Sequence, residues 1–163
     1  MSSPHSDAHR FECRLVWTGA TKGPTVDYES YSREYRVDGR GKPTSISGTA
    51  AAAFRGDDSR WNPEELLVAS LSACHFLTYL AVCARAGIHV TGYEDEATGT
   101  MAKVDRVVKF TEVVLRPRVT LAPGSDAQKA RALHEKAHAG CFIANSVNFP
   151  VRHEPEIRVA AAD

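Results

Sequence analysis

From residue 66 to residue 84 the chain carries no charge for 19 positions, and any fold this protein adopts must accommodate that stretch. The residues ahead of it, Arg60-Trp61-Asn62-Pro63-Glu64-Glu65, read as a helix start. Asparagine serves as N-cap, proline takes the first helical position, and the acids of the first turn face the positive end of the helix dipole. Arg85-Ala86-Gly87 supplies a basic last turn and a glycine C-cap. The length touches what a bilayer crossing requires. Ser70, Ser72, His75 and Thr78 interrupt the run, and much of the rest is alanine and cysteine, so a core helix is expected rather than a membrane span.

Around this helix the pattern changes. Residues 10–18 alternate, with Phe11, Cys13, Leu15 and Trp17 on one face, and residues 25–29 and 33–37 read as further short strands. Glycine, proline and serine make residues 39–58 loop-rich. After the helix, residues 88–102 and 106–121 are expected to form a long antiparallel hairpin turning at Lys103-Val104-Asp105. Pro123-Gly124-Ser125-Asp126 caps a second helix over 127–140, which places Ala130, Leu133, Ala137 and Cys141 on one inward face. A last strand spans 151–159. Strands, a helix, a hairpin, a helix and a strand make an α+β class without repeated βαβ units.

A length of 163 residues suits one domain over 1–163, with residues 1–9 as a flexible N-terminus. Twenty basic side chains balance twenty acidic ones, which argues against a nucleic-acid or anionic-membrane partner. The N-terminus shows no apolar signal segment, so a reducing, cytoplasmic setting is expected, with the four cysteines as free thiols.

Two of those cysteines suggest a redox pair. Cys74 lies in the middle of the uncharged run, and Cys141 follows 67 positions later at the end of the second helix. A thiolate that serves as a redox nucleophile must ionise well below the free-thiol value of ~8.5. Mid-helix, Cys74 gains nothing from a helix N-terminus, so a cation must supply that shift. The sulfenic acid so formed needs a second thiol before it is oxidised further, a resolving role to which Cys141 is suited. Cys13 and Cys83 read as buried structural thiols, the latter about half a turn out of phase with Cys74.

Other residues compete for attention. His134-Glu135-Lys136-Ala137-His138 fits the H-E-x-x-H pattern of zinc hydrolases, and Cys141 lies on the same side as a third ligand. The plain alternative is two polar residues flanking an Ala/Leu core stripe. His75 is turned by ~100° from Cys74 in a helix and reads as a pocket-wall or core residue rather than its base. Trp61, Phe76, Phe142 and Phe149 are candidates for apolar pocket walls.

Asn62-Pro63-Glu64-Glu65-Leu66-Leu67, followed by Ser72-Ala73-Cys74 and then by Ala139-Gly140-Cys141, resembles the OsmC/Ohr family of thiol-dependent hydroperoxide reductases over nearly the whole chain. The resemblance implies antiparallel sheets packed around a long central helix in an intertwined homodimer. Further implications are a site at the subunit interface, no metal or organic cofactor, an organic hydroperoxide as substrate and a dithiol such as a lipoylated protein as reductant. It makes Cys74 the attacking residue, Cys141 its resolving partner through a Cys74–Cys141 disulfide, and Glu64 the acid that holds an activating arginine. Arg33 is the first choice for that arginine, then Arg55, then Arg36, because Ala53 stands where the family pattern has arginine before Phe54. Glu64 and Cys74 are separated by ~15 Å of helix, so a bridging arginine or a second subunit must join them. The readings set beside this one are the zinc hydrolase and a non-catalytic small-ligand-binding dimer of the same fold.

Overall fold

The structure is a computed structural model describing residues 8–162, so most of the N-terminal segment expected to be flexible (residues 1–9) lies outside the described residues. The chain divides into two compact units at the start of the long helix, Met1–Pro63 and Glu64–Asp163.

In the first unit, β1 (Arg14–Trp17), β2 (Tyr35–Asp38) and β3 (Ile46–Gly48) form an antiparallel sheet in the order β1-β2-β3. Leu15 opposes Val37, and Tyr35 opposes Gly48. Glycine is required there, since a Cβ on Gly48 would lie 2.3 Å from the Tyr35 ring. The strand expected over 10–18 is shorter. A 3-10 turn at Thr18–Lys22 ends it, tied down by Gly19 N–H to the Glu34 carbonyl at 3.0 Å and Trp17 Nε1 to the Ser32 carbonyl at 2.7 Å. The expected strand at 25–29 is a turn. Asp27 accepts the Glu29 N–H at 2.8 Å, a local bond that competes with strand pairing.

The second unit is built on α1 (Pro63–Arg85), whose first residue closes the first unit. The helix ends as its sequence requires: Gly87 is left-handed at φ 72°, and the Ile88 N–H reaches back to the Cys83 carbonyl at 3.0 Å. Then come β4 (Val90–Asp95), β5 (Thr98–Val104), β6 (Val107–Leu115), β7 (Pro117–Leu121), α2 (Ala127–Gly140), β8 (Val151–His153) and β9 (Glu156–Val159). Asp126 caps α2, its carboxylate accepting the Lys129 N–H at 2.9 Å.

The expected hairpin forms but splits between two sheets, β4-β7-β9 and β5-β6-β8. Asp95 Oδ1 takes the Arg116 N–H at 2.7 Å, and Pro117 has no N–H to give, so both strands break at this level. Asp105 and Arg106 make the turn with φ of 49° and 69°, the left-handed pair of a two-residue hairpin loop. The single closing strand expected at 151–159 is two, pairing parallel with β6 and β7. These two sheets are therefore mixed, while the β1-β2-β3 sheet of the first unit is purely antiparallel.

Two apolar clusters fill this unit. Leu71 of α1 packs with Val113, Leu115 and Val151, while Tyr79 and Cys83 pack with Ile88, Val119, Leu121 and the α2 residues Ala130, Leu133 and Ala137. Burying a leucine such as Leu71 contributes ~1.5–3 kcal/mol. The buried stripe of α1 is Leu71, His75, Tyr79 and Cys83, four residues apart. Burial is not all round, as an apolar run suggests: Ala69, Ala73, Leu77 and Ala84 are exposed in the single chain.

Candidate active site

Three contacts order α1 against α2. The Cys141 thiol neighbours that of Cys74, His75 Nε2 meets His134 Nδ1 at 2.9 Å, and the Tyr79 hydroxyl donates to the Ala130 carbonyl at 3.1 Å. Residue numbers rise on one helix as they fall on the other, so the helices are antiparallel. Gly140 permits close approach at the end of α2, where a Cβ would come within 3.3 Å of Thr78 Cγ2.

Cys141 is the C-cap of α2, with its N–H on the His138 carbonyl at 3.2 Å. Its side chain is 1% exposed. Burial foremost, and then the neighbouring Cys74 thiol, push this thiol up to about 11, with the Ala144 and Ile143 N–H groups acting in the other direction. Cys141 is thus a protonated thiol at neutral pH. Cys74 is half-buried, and both cysteines are free. The residue open to a solute is Cys74, and the residue behind it is Cys141.

Glu64 opens the second unit on the first turn of α1, ten residues before Cys74 and ~15 Å from it along the axis. Its Oε2 is buried without a hydrogen-bond partner among the described residues. The three candidate arginines belong to the first unit. Arg33 donates to the carbonyls of Tyr31 (3.0 Å) and Tyr28 (2.5 Å) and lies over both rings. Arg55 pairs with Glu29 at 2.5 Å and Arg36 with Asp38 at 3.0 Å.

Sequence reasoning missed a polar tie beside Cys74. Ser72 Oγ donates to Asp95 Oδ2 at 2.5 Å, while the other oxygen of Asp95 holds the Arg116 N–H. One carboxylate thus fastens α1 to the point where both sheets break. A lone aspartate at a strand end gives no pattern from which this could be read.

The zinc-helix reading of His134, Glu135 and His138 requires correction. The His134 imidazole is fully buried, stacked on Tyr79 at 3.9 Å and bonded to His75, while Glu135 points outward to His153 Nε2 at 3.5 Å. Cys141, the third ligand suggested by spacing, turns to Cys74 instead. Among the described residues no group of three or more His, Cys, Asp or Glu side chains is arranged to hold a metal ion. Position 134 follows Leu133 and precedes Ala137 on the inward stripe of α2, which was the signal for burial. His75, His134, His138 and His153 instead form a packed group, each with one buried ring nitrogen that has no partner among the described residues. Burial first, and then the neighbouring imidazoles, depress His75 to about 4 and His134 to about 3.

His75 is a core residue. Cys83 is buried as expected, but Cys13 is exposed rather than buried, just ahead of β1, whose own residues are mostly exposed. Of the aromatic candidates, Phe76 packs on Tyr93 at 4.8 Å and Phe149 on Phe110 at 5.4 Å, whereas Trp61 and Phe142 are 52% and 82% exposed.

Residues 56–156 match the family model described as OsmC-like protein. Peroxiredoxin OsmC of Escherichia coli is 30% identical over 111 residues, covering 64% of this chain and 77% of that protein. The solved structure of an OsmC-like protein of unknown function from Vibrio cholerae superposes with a TM-score of 0.83 at 30% identity, covering 91% of this chain and 99% of that one. An organic hydroperoxide resistance protein from Elizabethkingia anophelis shares the fold, with a TM-score of 0.68 at 20% identity over 95% of this chain and 99% of that one.

Proposed function

The chain belongs to the OsmC-like protein family, and from that premise we propose that it is a thiol-dependent peroxidase that reduces organic hydroperoxides through Cys74 and Cys141. The observation that supports the reading is that these two thiols are neighbours, one half-buried and one enclosed, with Cys74 acting on the Cys141 thiol. The Cys74 thiolate attacks the terminal peroxide oxygen, the O–O bond breaks, and the alkoxide leaves as the alcohol after taking a proton. Cys74 is then a sulfenic acid. The Cys141 sulfur attacks it, the S–S bond forms as the S–O bond breaks, and the oxygen departs as water with the Cys141 proton. A dithiol, such as a lipoylated protein, reduces the disulfide and returns both thiols.

Glu64 Oε2 is buried without a hydrogen-bond partner among the described residues, and a guanidinium would satisfy it. In this reading Arg33, or otherwise Arg55 or Arg36, supplies that guanidinium and lowers the cost of the Cys74 thiolate. The protein acts as a homodimer, with the exposed Ala69, Ala73, Leu77 and Ala84 face of α1 covered by a second copy. Residues 1–163 work as one OsmC-like domain in a reducing cytoplasm, with no metal or organic cofactor in the cycle.

The experiment is consumption of an alkyl hydroperoxide with a dithiol reductant, comparing wild type with Cys74→Ser. Loss of turnover in C74S supports the reading. Undiminished turnover in C74S rejects it.

A further inference from the structure

We propose that His134 is a positioning residue: its hydrogen bond to His75 sets how α2 lies on α1 and so keeps Cys141 within closing reach of Cys74. The proposal rests on the dithiol reading. His75 is the immediate neighbour of Cys74, and His134 precedes Cys141 by seven residues, about two turns or ~10 Å of α2. The bond that joins them is 2.9 Å long and entirely enclosed, with His75 1% and His134 0% exposed.

A disulfide is geometrically strict, with an S–S length of ~2.05 Å and Cβ atoms ~3.8 Å apart. A slip of α2 by one residue would swing Cys141 by ~100° around its axis. The apolar contacts of Ala130, Leu133 and Ala137 are non-directional and resist such a slip only weakly. A hydrogen bond resists it because it weakens steeply with distance and angle. Tyr79 reinforces the arrangement by stacking under His134 at 3.9 Å and bonding the Ala130 carbonyl one turn away.

The imidazole pair is a poor choice for stability alone. His75 Nδ1 and His134 Nε2 are both buried without partners among the described residues, which is unfavourable for each, whereas two apolar side chains would leave nothing unsatisfied. Buried polar pairs of this kind specify register at a cost in stability. The pair stands where register matters, beside one thiol and on the same helix as the other.

The chemical step at issue is closure: Cys74 sulfenic acid and Cys141 thiol give the disulfide and water. The oxidant is one equivalent of an alkyl hydroperoxide. Single-turnover experiments on the full-length protein would follow sulfenate by trapping with a 1,3-diketone and closure by mass, in wild type, H134F, H75F, the double variant and H134N. Phenylalanine keeps the ring and removes the bond. The asparagine amide occupies the place of Nδ1 and can restore it.

The expected result is sulfenate formation within ~2-fold of wild type in every variant. Closure slows about tenfold in H134F and in H75F, the scale set by the loss of one hydrogen bond, and the Cys74 sulfenic acid persists correspondingly longer, going on to sulfinate only when a second equivalent of hydroperoxide is added. The double variant is no slower than either single one, because both remove the same interaction. H134N closes at close to the wild-type rate. V119A, a cavity in the neighbouring sheet, also closes normally, separating register from general destabilisation.

Normal closure in H134F and H75F would overturn the proposal, and so would failure of H134N to restore closure or an equal defect in V119A. H75F breaks the bond from the other helix should H134F not fold. The equilibrium between thiols and disulfide in a dithiol redox buffer gives a second readout that needs no peroxide, and the disulfide should be about tenfold less favoured in the Phe variants. If wild type forms the disulfide in that buffer but no sulfenate with peroxide, the peroxidase reading fails while the positioning proposal still stands or falls on the buffer measurement.

Discussion

Lowering the pH from 7 to 5 should strip this protein of much of its stability, and two buried histidines set the amount. In the folded chain His75 sits at about 4 and His134 at about 3, against an ordinary value of 6.5. The charged and titratable groups that act on them, His153 and His138 on His75, and His75, His153 and Arg131 on His134, also disfavour protonation. At pH 5 the unfolded chain has taken up nearly one proton at each position and the folded chain almost none. Stability therefore falls as pH drops below 6.5, and keeps falling until the folded-state values are reached. At ~1.36 kcal/mol per unit, the 1.5 units between 6.5 and pH 5 correspond to about 2 kcal/mol per histidine and about 4 kcal/mol for the pair. That is a large part of the ~5–15 kcal/mol by which domains are stable. Both rings are at most 1% exposed, so solvent screening takes little from this figure. Urea unfolding at fixed protein concentration, at pH 7, 6, 5.5 and 5, should show the loss steepening to about 2–3 kcal/mol per pH unit. The H75F/H134F double variant should lose most of that slope. A wild-type decline below ~1 kcal/mol over this range, or an unchanged slope in the double variant, would refute the reasoning.

Cys141→Ser should leave the first oxidation of Cys74 intact and end multiple turnover, with Cys74 sulfinate appearing by mass spectrometry. Glu64→Gln should cut the second-order rate with alkyl hydroperoxide at least tenfold, about 1.4 kcal/mol of lost guanidinium placement, and move the acid limb of the pH–rate profile upward; an unchanged profile would remove Glu64 from the mechanism. Asp95→Ala leaves the Ser72 hydroxyl and the Arg116 N–H without their acceptor, which should lower unfolding free energy by ~2–4 kcal/mol in urea titration. Light scattering at micromolar concentration should give the mass of a dimer, and Leu77→Lys on the exposed face of α1 should shift it toward the monomer.

The parts of the fold legible in the sequence were those governed by local rules. Helix α1 announced itself through Pro63 and Gly87, and α2 matched its expected bounds because Asp126 and the spacing of Ala130, Leu133 and Ala137 act within a few residues. Strand limits followed longer-range causes. The hairpin is cut where Asp95 meets Arg116, and β8 and β9 find parallel partners forty or so residues back, neither of which leaves a mark in a short window. At the site, Cys74, Cys141 and Glu64 were chosen from motif and chemistry. The His75–His134 bond was invisible because a histidine in a helix is read as polar unless its partner, here 59 positions away, is known.

The central claim concerns the sulfur atoms of Cys74 and Cys141, and oxidation of reduced protein with one equivalent of an alkyl hydroperoxide, followed by non-reducing peptide mapping, tests it most directly. The account predicts a dominant cross-linked species joining the Cys74 and Cys141 peptides within one chain, with Cys13 and Cys83 still alkylatable. Stoichiometric peroxide loss with both cysteines recovered as free thiols, or a cross-link that bypasses Cys74, would contradict it.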